Sequence, residues 1–178
     1  MARSSRLLAA VAALSLVVAA CGGSDSSSTE EGALSTIAEG KLTVCSDAPY
    51  EPFEFQDEAT KEWTGFDMDL MKVIATNIGG LSLEVTVQPF DGIWLAPKAK
   101  TCDLVASAMT ITEERAANAL FSDPYFDADQ SLLVRAEDKA TLVDLASLAG
   151  KTIAVQTGTT GETYAKENAK DSTLKSFD

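Results

Sequence analysis

The sequence predicts an α/β protein with largely parallel sheets, on three observations. Short strand-like runs alternate with stretches of helical apolar spacing. Glycines close several of these elements, at Gly40, Gly65 and Gly79-Gly80. The chain has 178 residues, 46% hydrophobic and 23% charged, which suits one ordinary domain or two small lobes of a soluble globular protein.

The elements follow in order. Residues 33–39 read as a short helical stretch ended by Gly40. Residues 42–46, Leu-Thr-Val-Cys-Ser, read as a buried strand. Residues 54–56 and 62–64 flank a polar turn and form a small ribbon, closed by Gly65. In residues 67–77 and just beyond, Leu70, Met71, Ile74 and Ile78 recur at helical spacing before Gly79-Gly80 stops the helix. Residues 83–87 alternate as a strand. Residues 91–100 are expected to be a helix capped by Asp91 and kinked at Pro97. Residues 103–107 form the next strand. Thr112 then caps a helix whose Glu113 and Glu114 complement its N-terminal dipole. Strands over 131–135 and 152–156 and helices over 142–148 and 161–168 complete the alternation, with a last strand at 173–177. No internal repeat is present.

Charge narrows the function classes. Fourteen Lys and Arg oppose 27 Asp and Glu, a net charge of -13. Arg3 and Arg6 are the only charges among the first twenty residues, so the remainder stands at -15. Such a body is unsuited to nucleic acid, whose phosphates call for Lys and Arg, and to anionic lipid. There is no His, which removes the usual neutral-pH base and the commonest zinc ligand.

The N-terminus reads as an address. A basic start is followed by residues 7–20, apolar except for Ser15. That run falls short of the roughly 20 residues a spanning helix needs, so it is the core of an export signal. Val18-Ala19-Ala20-Cys21 then leads into a Gly/Ser-rich tether. This resembles a bacterial lipoprotein processing box, with Val18 where the usual box has Leu. It implies a signal peptide over 1–20, a lipidated Cys21 and a tether over 21–33. An ordinary signal peptide with an incidental Cys is the alternative.

Cys45 and Cys102 remain. An exported pair invites a disulfide. Against it, Cys45 lies late in one strand and Cys102 just before another. If the strands are parallel neighbours, the two are offset by about three residues, or about 10 Å, where a disulfide needs Cα atoms within about 7 Å. The sequence leaves the bond open.

In parallel sheets ligands sit at the carboxyl ends of strands. Those ends carry Asp47 and Tyr50, then Pro89-Phe90, then Ser107, Ala108, Met109 and Thr110 with Arg115 beyond, and finally Thr157-Gly158-Thr159-Thr160 opening a helix. Hydroxyls, two aromatics, one carboxylate and one guanidinium suit a small zwitterion. Arg can hold a carboxylate by two parallel bonds, Asp can hold an ammonium or guanidinium, and aromatic faces can sandwich a cationic side chain.

Five blocks carry a resemblance. Residues 46–55 with 64–70 (Ser-Asp-Ala-Pro-Tyr-Glu-Pro-Phe-Glu-Phe, then Thr-Gly-Phe-Asp-Met-Asp-Leu), residues 103–115, residues 121–125 (Phe-Ser-Asp-Pro-Tyr), residues 150–152 and residues 158–161 stand in the order found in the polar amino-acid (family 3) substrate-binding proteins of ABC transporters. The chain resembles them from about residue 42 to 168.

The resemblance implies a periplasmic-binding-protein-like two-lobe (Venus flytrap) fold that closes on an amino acid. Arg115 would grip the ligand α-carboxylate, helped by backbone N–H groups around Ser107, Ala108 and Thr110. The Thr110 hydroxyl would accept from the α-ammonium. Thr160, with Thr159 beside it, would add a donor at a helix N-terminus. Asp47 would contact the ligand side chain, and Tyr50 and Phe90 would pack around it. A polar or cationic amino acid is the expected ligand. Asp47 could instead bond its own turn, and Thr159 suits a turn-former. Asp67, Asp69 and Asp123 read as helix-end and turn residues. No cofactor and no metal are expected.

The family implies two lobes, over 34–131 and over 132–178 with the hinge crossing. Its members usually continue for a further 60 or more residues, so the second lobe reads as truncated and ligand binding is expected to be weak or absent. The expected partners are an ABC permease and a lipid anchor at Cys21, on the outer face of the cytoplasmic membrane, with no nucleic acid and the protein a monomer. The rivals are a ligand-sensing input domain and an enzyme of the cyclohexadienyl-dehydratase type on the same fold. No residue stands out as the acid or base the enzyme would need.

Overall fold

The computed structural model describes residues 34–178. The expected export signal, Cys21 and tether lie outside the described residues. The first sheet is built on β1 (Lys41–Ser46), whose side chains are buried from Leu42 onward on both faces. Two neighbours make that burial possible. β4 (Ser82–Val87) runs parallel to it with Lys41 opposite Ser82 and Ser46 opposite Val87, and the short β5 (Leu104–Val105) pairs on the other edge with Cys45 opposite Val105. Between β1 and β4 the chain makes the ribbon β2 (Phe55–Gln56) and β3 (Trp63–Thr64) and then α1 (Phe66–Gly79).

α1 begins at Gly65, which has φ 107°; a Cβ there would lie 2.8 Å from the Pro52 carbonyl oxygen. Gly80 ends it in the left-handed region, donating to the Thr76 carbonyl at 2.9 Å while Leu81 donates to the Ala75 carbonyl at 2.9 Å, so two carbonyls of the last turns are satisfied. The helix covers one face of the sheet, with Met68, Met71 and Ala75 packed on Leu42, Val44 and Ala106. Cys45, Phe90, Ile93, Ala96 and Cys102 form a second apolar cluster.

That second cluster contains the Cys45–Cys102 disulfide, with Cα atoms 5.7 Å apart. The register does offset the two by three residues. The expected 10 Å gap fails because β5 is only two residues long. Cys102 therefore precedes the extended chain, and the Asp103 N–H bonds the Thr43 carbonyl at 2.8 Å, holding the incoming segment against β1.

A second body is a β–α–β unit. β6 (Thr152–Gln156) leads into α3 (Thr160–Asn168), and β7 (Thr173–Phe177) returns parallel to β6 with Thr152 opposite Thr173. α2 is one short turn, Glu113–Ala116, capped as expected by Thr112, whose hydroxyl accepts from the Arg115 N–H at 3.2 Å.

Four expected elements differ. Residues 34–39 form no helix, because the Ile37 N–H bonds Asp103 at 2.7 Å and the Thr36 hydroxyl bonds the Ala38 carbonyl. Residues 91–100 form a 3-10 turn, Ile93–Leu95, and further turns. Gly92 at φ 73° prevents Asp91 from capping, and Pro97 lacks an N–H. Residues 131–135 have no strand partner among the described residues, and Leu133 is fully exposed. β-propensity without a neighbour makes no strand. In place of a helix over 142–148, Asp144 and Ser147 bond each other's backbone and leave only the 3-10 turn Ala146–Leu148.

Candidate functional site

The site residues gather where strands end. Arg115 on α2 is 4% exposed. Its guanidinium lies between Phe90 and Trp94, 5.2 and 5.1 Å from the two ring centroids. One nitrogen donates to the Thr110 carbonyl at 2.7 Å and another to the Gly158 carbonyl at 2.8 Å. Burial lowers its pKa, but a guanidinium remains charged. Phe90, expected beside a ligand side chain, is 9% exposed and packs on the arginine. Trp94 escaped the sequence reading because it lay inside the supposed helix.

Asp47 follows β1. Its carboxylate accepts from the Gln156 carboxamide, which closes β6 on the other body. Its backbone N–H donates to the Ser107 hydroxyl at 2.9 Å, and that hydroxyl donates to Glu54 at 2.8 Å. Ser107 thus spends its side chain on the frame. Ala108 commits its backbone: its N–H donates to Asp67 at 2.7 Å, and its φ is 41°. Asp67 stands in the first turn of α1, as expected, but it is buried and also accepts from the Tyr125 hydroxyl at 2.9 Å, so it brackets separate segments as well. Desolvation raises the pKa of Asp67, while the Ala108 and Tyr125 bonds oppose the rise. Burial, and to a lesser extent the neighbouring Asp67 and Asp47 carboxylates, push Glu54 up to about 8.

Tyr50 is 56% exposed and stacks on Phe53 with centroids 5.8 Å apart. Its backbone bridges Glu54. Phe53, Phe66, Tyr125 and Phe126 continue the aromatic group.

On the second body, Thr159 is the N-cap of α3. Its hydroxyl accepts from the Glu162 N–H at 3.1 Å and donates to the Gln156 carbonyl at 2.8 Å. Glu162 reaches back to accept from the Gly158 N–H at 3.0 Å, one residue before the cap. Thr159 therefore holds the turn, and its hydroxyl is committed. Thr160 points at the first body: its oxygen lies 3.5 Å from that of Thr110 and accepts from the Gln130 carboxamide at 3.0 Å. Gly158 lies against Asp91, where a Cβ would come within 2.9 Å of the Asp91 Cα. A cleft of about 480 Å³ opens beside Arg115, lined by Asp91, Trp94 and Glu114 from the first body and by Thr159, Thr160, Tyr164 and Glu167 from the second. Asp47, Tyr50 and Phe90 do not line it. Among the described residues, no group of three or more His, Cys, Asp or Glu side chains is placed to hold a metal ion.

Two α/β bodies that touch through Asp47–Gln156, Arg115–Gly158 and Thr110–Thr160 place this protein in the class of two-lobed proteins with a cleft between the lobes. It belongs to the bacterial extracellular solute-binding proteins, family 3, whose sequence model matches residues 42–176. The arginine-binding extracellular protein ArtP of Bacillus subtilis (strain 168) is 35% identical over 172 residues, covering 97% of this chain and 63% of that protein. A solved structure of the amino acid ABC transporter substrate-binding protein AbpA from Streptococcus pneumoniae, bound to L-arginine, is 34% identical with TM-score 0.72, over 77% of this chain and 58% of that one. The ancestral amino acid-binding protein AncCDT-1, a precursor of cyclohexadienyl dehydratase, is 39% identical with TM-score 0.72, over 78% of this chain and 61% of that one. The chain thus spans about three fifths of the length of such relatives. They are named as binding proteins, not as enzymes.

Proposed function

We propose that this protein captures a polar or cationic amino acid outside the cytoplasm and delivers it to an ABC permease. One observation carries the reading. Asp47 and Arg115, an acid and a cation suited to the two ends of a zwitterion, both stand on the first body and are both touched by the second. A ligand held by the first body is then gripped by the second, and the contacts made in only one arrangement shift the equilibrium toward it. Arg115 takes the carboxylate, with Thr110 and Thr160 beside it. Asp47 takes the positive end, with Gln156 facing it and the exposed ring of Tyr50 at the edge. Lobes over 34–131 and 132–178 fit this division. Lipidation at Cys21, tethering the mature protein, fits the N-terminal sequence, and the protein acts as a monomer.

The test is calorimetry of the full chain with L-arginine first, since relatives are named for it, then L-histidine and L-cystine. Saturable binding below about 1 mM, lost in Arg115→Ala and shifted in ligand preference by Asp47→Asn, is the expected result. A folded protein that none of these ligands stabilises against heat would overturn the reading. Mass spectrometry of the membrane-extracted protein checks the anchor: the expected N-terminus is a diacylated Cys21, absent from Cys21→Ser.

A further inference from the structure

Glu54 is fully buried, and among the described residues no Lys or Arg is paired with it. An acid in such a place is costly unless it organises something. One of its oxygens accepts from the Ser107 hydroxyl at 2.8 Å, and the other has no hydrogen-bond partner among the described residues. Because the Ser107 proton points at Glu54, its lone pairs are free for the Asp47 N–H, which lies 2.9 Å away. The backbone of Glu54 also pairs with Tyr50 in both directions, at 2.7 and 3.1 Å. One buried side chain and its own backbone therefore tie together the loop after β1, the loop after β5 and the turn that carries Tyr50.

We propose that Glu54 is a positioning residue of the binding site: acting through the Ser107 hydroxyl, it fixes the backbone of Asp47 and so the direction in which the Asp47 carboxylate meets a ligand. Glu54 touches no ligand itself. The inference rests on Asp47 as a ligand contact, but it can be tested without one. The neutral acid is the form burial favours, so Gln is its nearest mimic. Gln can accept from Ser107 with no charge to desolvate.

The experiment follows the Asp47 amide by NMR hydrogen exchange and, in parallel, measures L-arginine affinity in the full chain. Glu54→Ala and Ser107→Ala should each speed Asp47 exchange about tenfold, as expected for one lost hydrogen bond. The double variant should add little to either single change, since the two act as one chain. Glu54→Gln should restore slow exchange. Where L-arginine binds, affinity should fall and recover in the same pattern. Ser107→Ala keeps the question answerable if Glu54→Ala does not fold. An Asp47 amide indifferent to both substitutions, or a Glu54→Gln variant no better than Glu54→Ala, overturns the proposal. Exchange that responds as described in a protein that binds none of the amino acids upholds the positioning of Asp47 and overturns the assigned ligand.

Discussion

Arg115 shows what a single residue can and cannot disclose. Its place in a block after a strand end marked it as a carboxylate ligand, and the structure buries it between two rings with two carbonyl acceptors. Lys cannot reproduce that planar fork between aromatic faces. Arg115→Lys should therefore weaken amino-acid binding at least about thirtyfold, the lower range for losing a buried charged contact, as calorimetry would read. Asp47 and Thr160 were singled out for the same reason, because strand ends in parallel sheets gather ligands, and the structure brings both to the junction of the two bodies. Gln156 ends a strand too, but an uncharged residue drew no notice. Glu54 and Asp67 were hidden more thoroughly, since their meaning depends on partners about 50 and 40 positions away. Glu54 also has a consequence for pH. Its folded pKa, pushed up to about 8, lies above the 4.5 of an ordinary glutamate. Between those values the folded chain holds a proton that the unfolded chain releases, so stability falls as pH rises through that window and levels off above it. Asp67 is shifted in the same direction. Urea denaturation across this range should give a falling curve, with a shallower slope in Glu54→Gln.

At the scale of elements, glycine placement separates sharp boundaries from tolerant ones. Gly65 combines φ 107° with carbonyl oxygens of Pro52 and Phe53 where a Cβ would go, whereas Gly40, at φ 72°, has nothing within 4 Å. Gly40→Ala should cost about 1 kcal/mol, the strain of a left-handed residue. Gly65→Ala should cost upwards of about 3 kcal/mol, since a backbone clash is added to strain, and chemical denaturation of the two variants would rank them. Glu162, at the start of α3, behaves oppositely to Glu54 with pH. Bonds from Ser176, Lys166 and Gly158 hold Glu162 down to about 2, so what it contributes is present above its ordinary pKa and is lost as pH falls through about 2. Legibility at this scale followed locality. α1, β4 and α3 have their apolar spacing and caps in one continuous stretch, and the sequence sufficed. The supposed helix over 91–100 failed on Gly92, a single φ that spacing does not encode. The supposed strand over 131–135 failed because a strand is made by its neighbour.

In the whole molecule, the two bodies are unequal in how they are held. The first has a sheet buried by α1 and a disulfide spanning 57 positions. The second is one β–α–β unit, joined to the first by a few cross-body hydrogen bonds and the seat of Gly158 on Asp91. That few-bonded junction is what a closing cleft requires, because arrangements related by hinge motion must differ little in energy. It also means that stabilising one body should leave the other nearly unaffected. A disulfide closing a loop of that length is worth about 4 kcal/mol in the chain-entropy account. Reducing Cys45–Cys102 should therefore speed hydrogen exchange in β1, β4 and α1 by up to about a thousandfold, the ratio that corresponds to that energy. β6 and β7 should change by about threefold or less, since the junction couples them weakly. Exchange measured by mass spectrometry with and without reductant decides the matter. A uniform acceleration through both bodies would mean that they unfold as one unit, and the hinge account of ligand capture would then lack its mechanical basis.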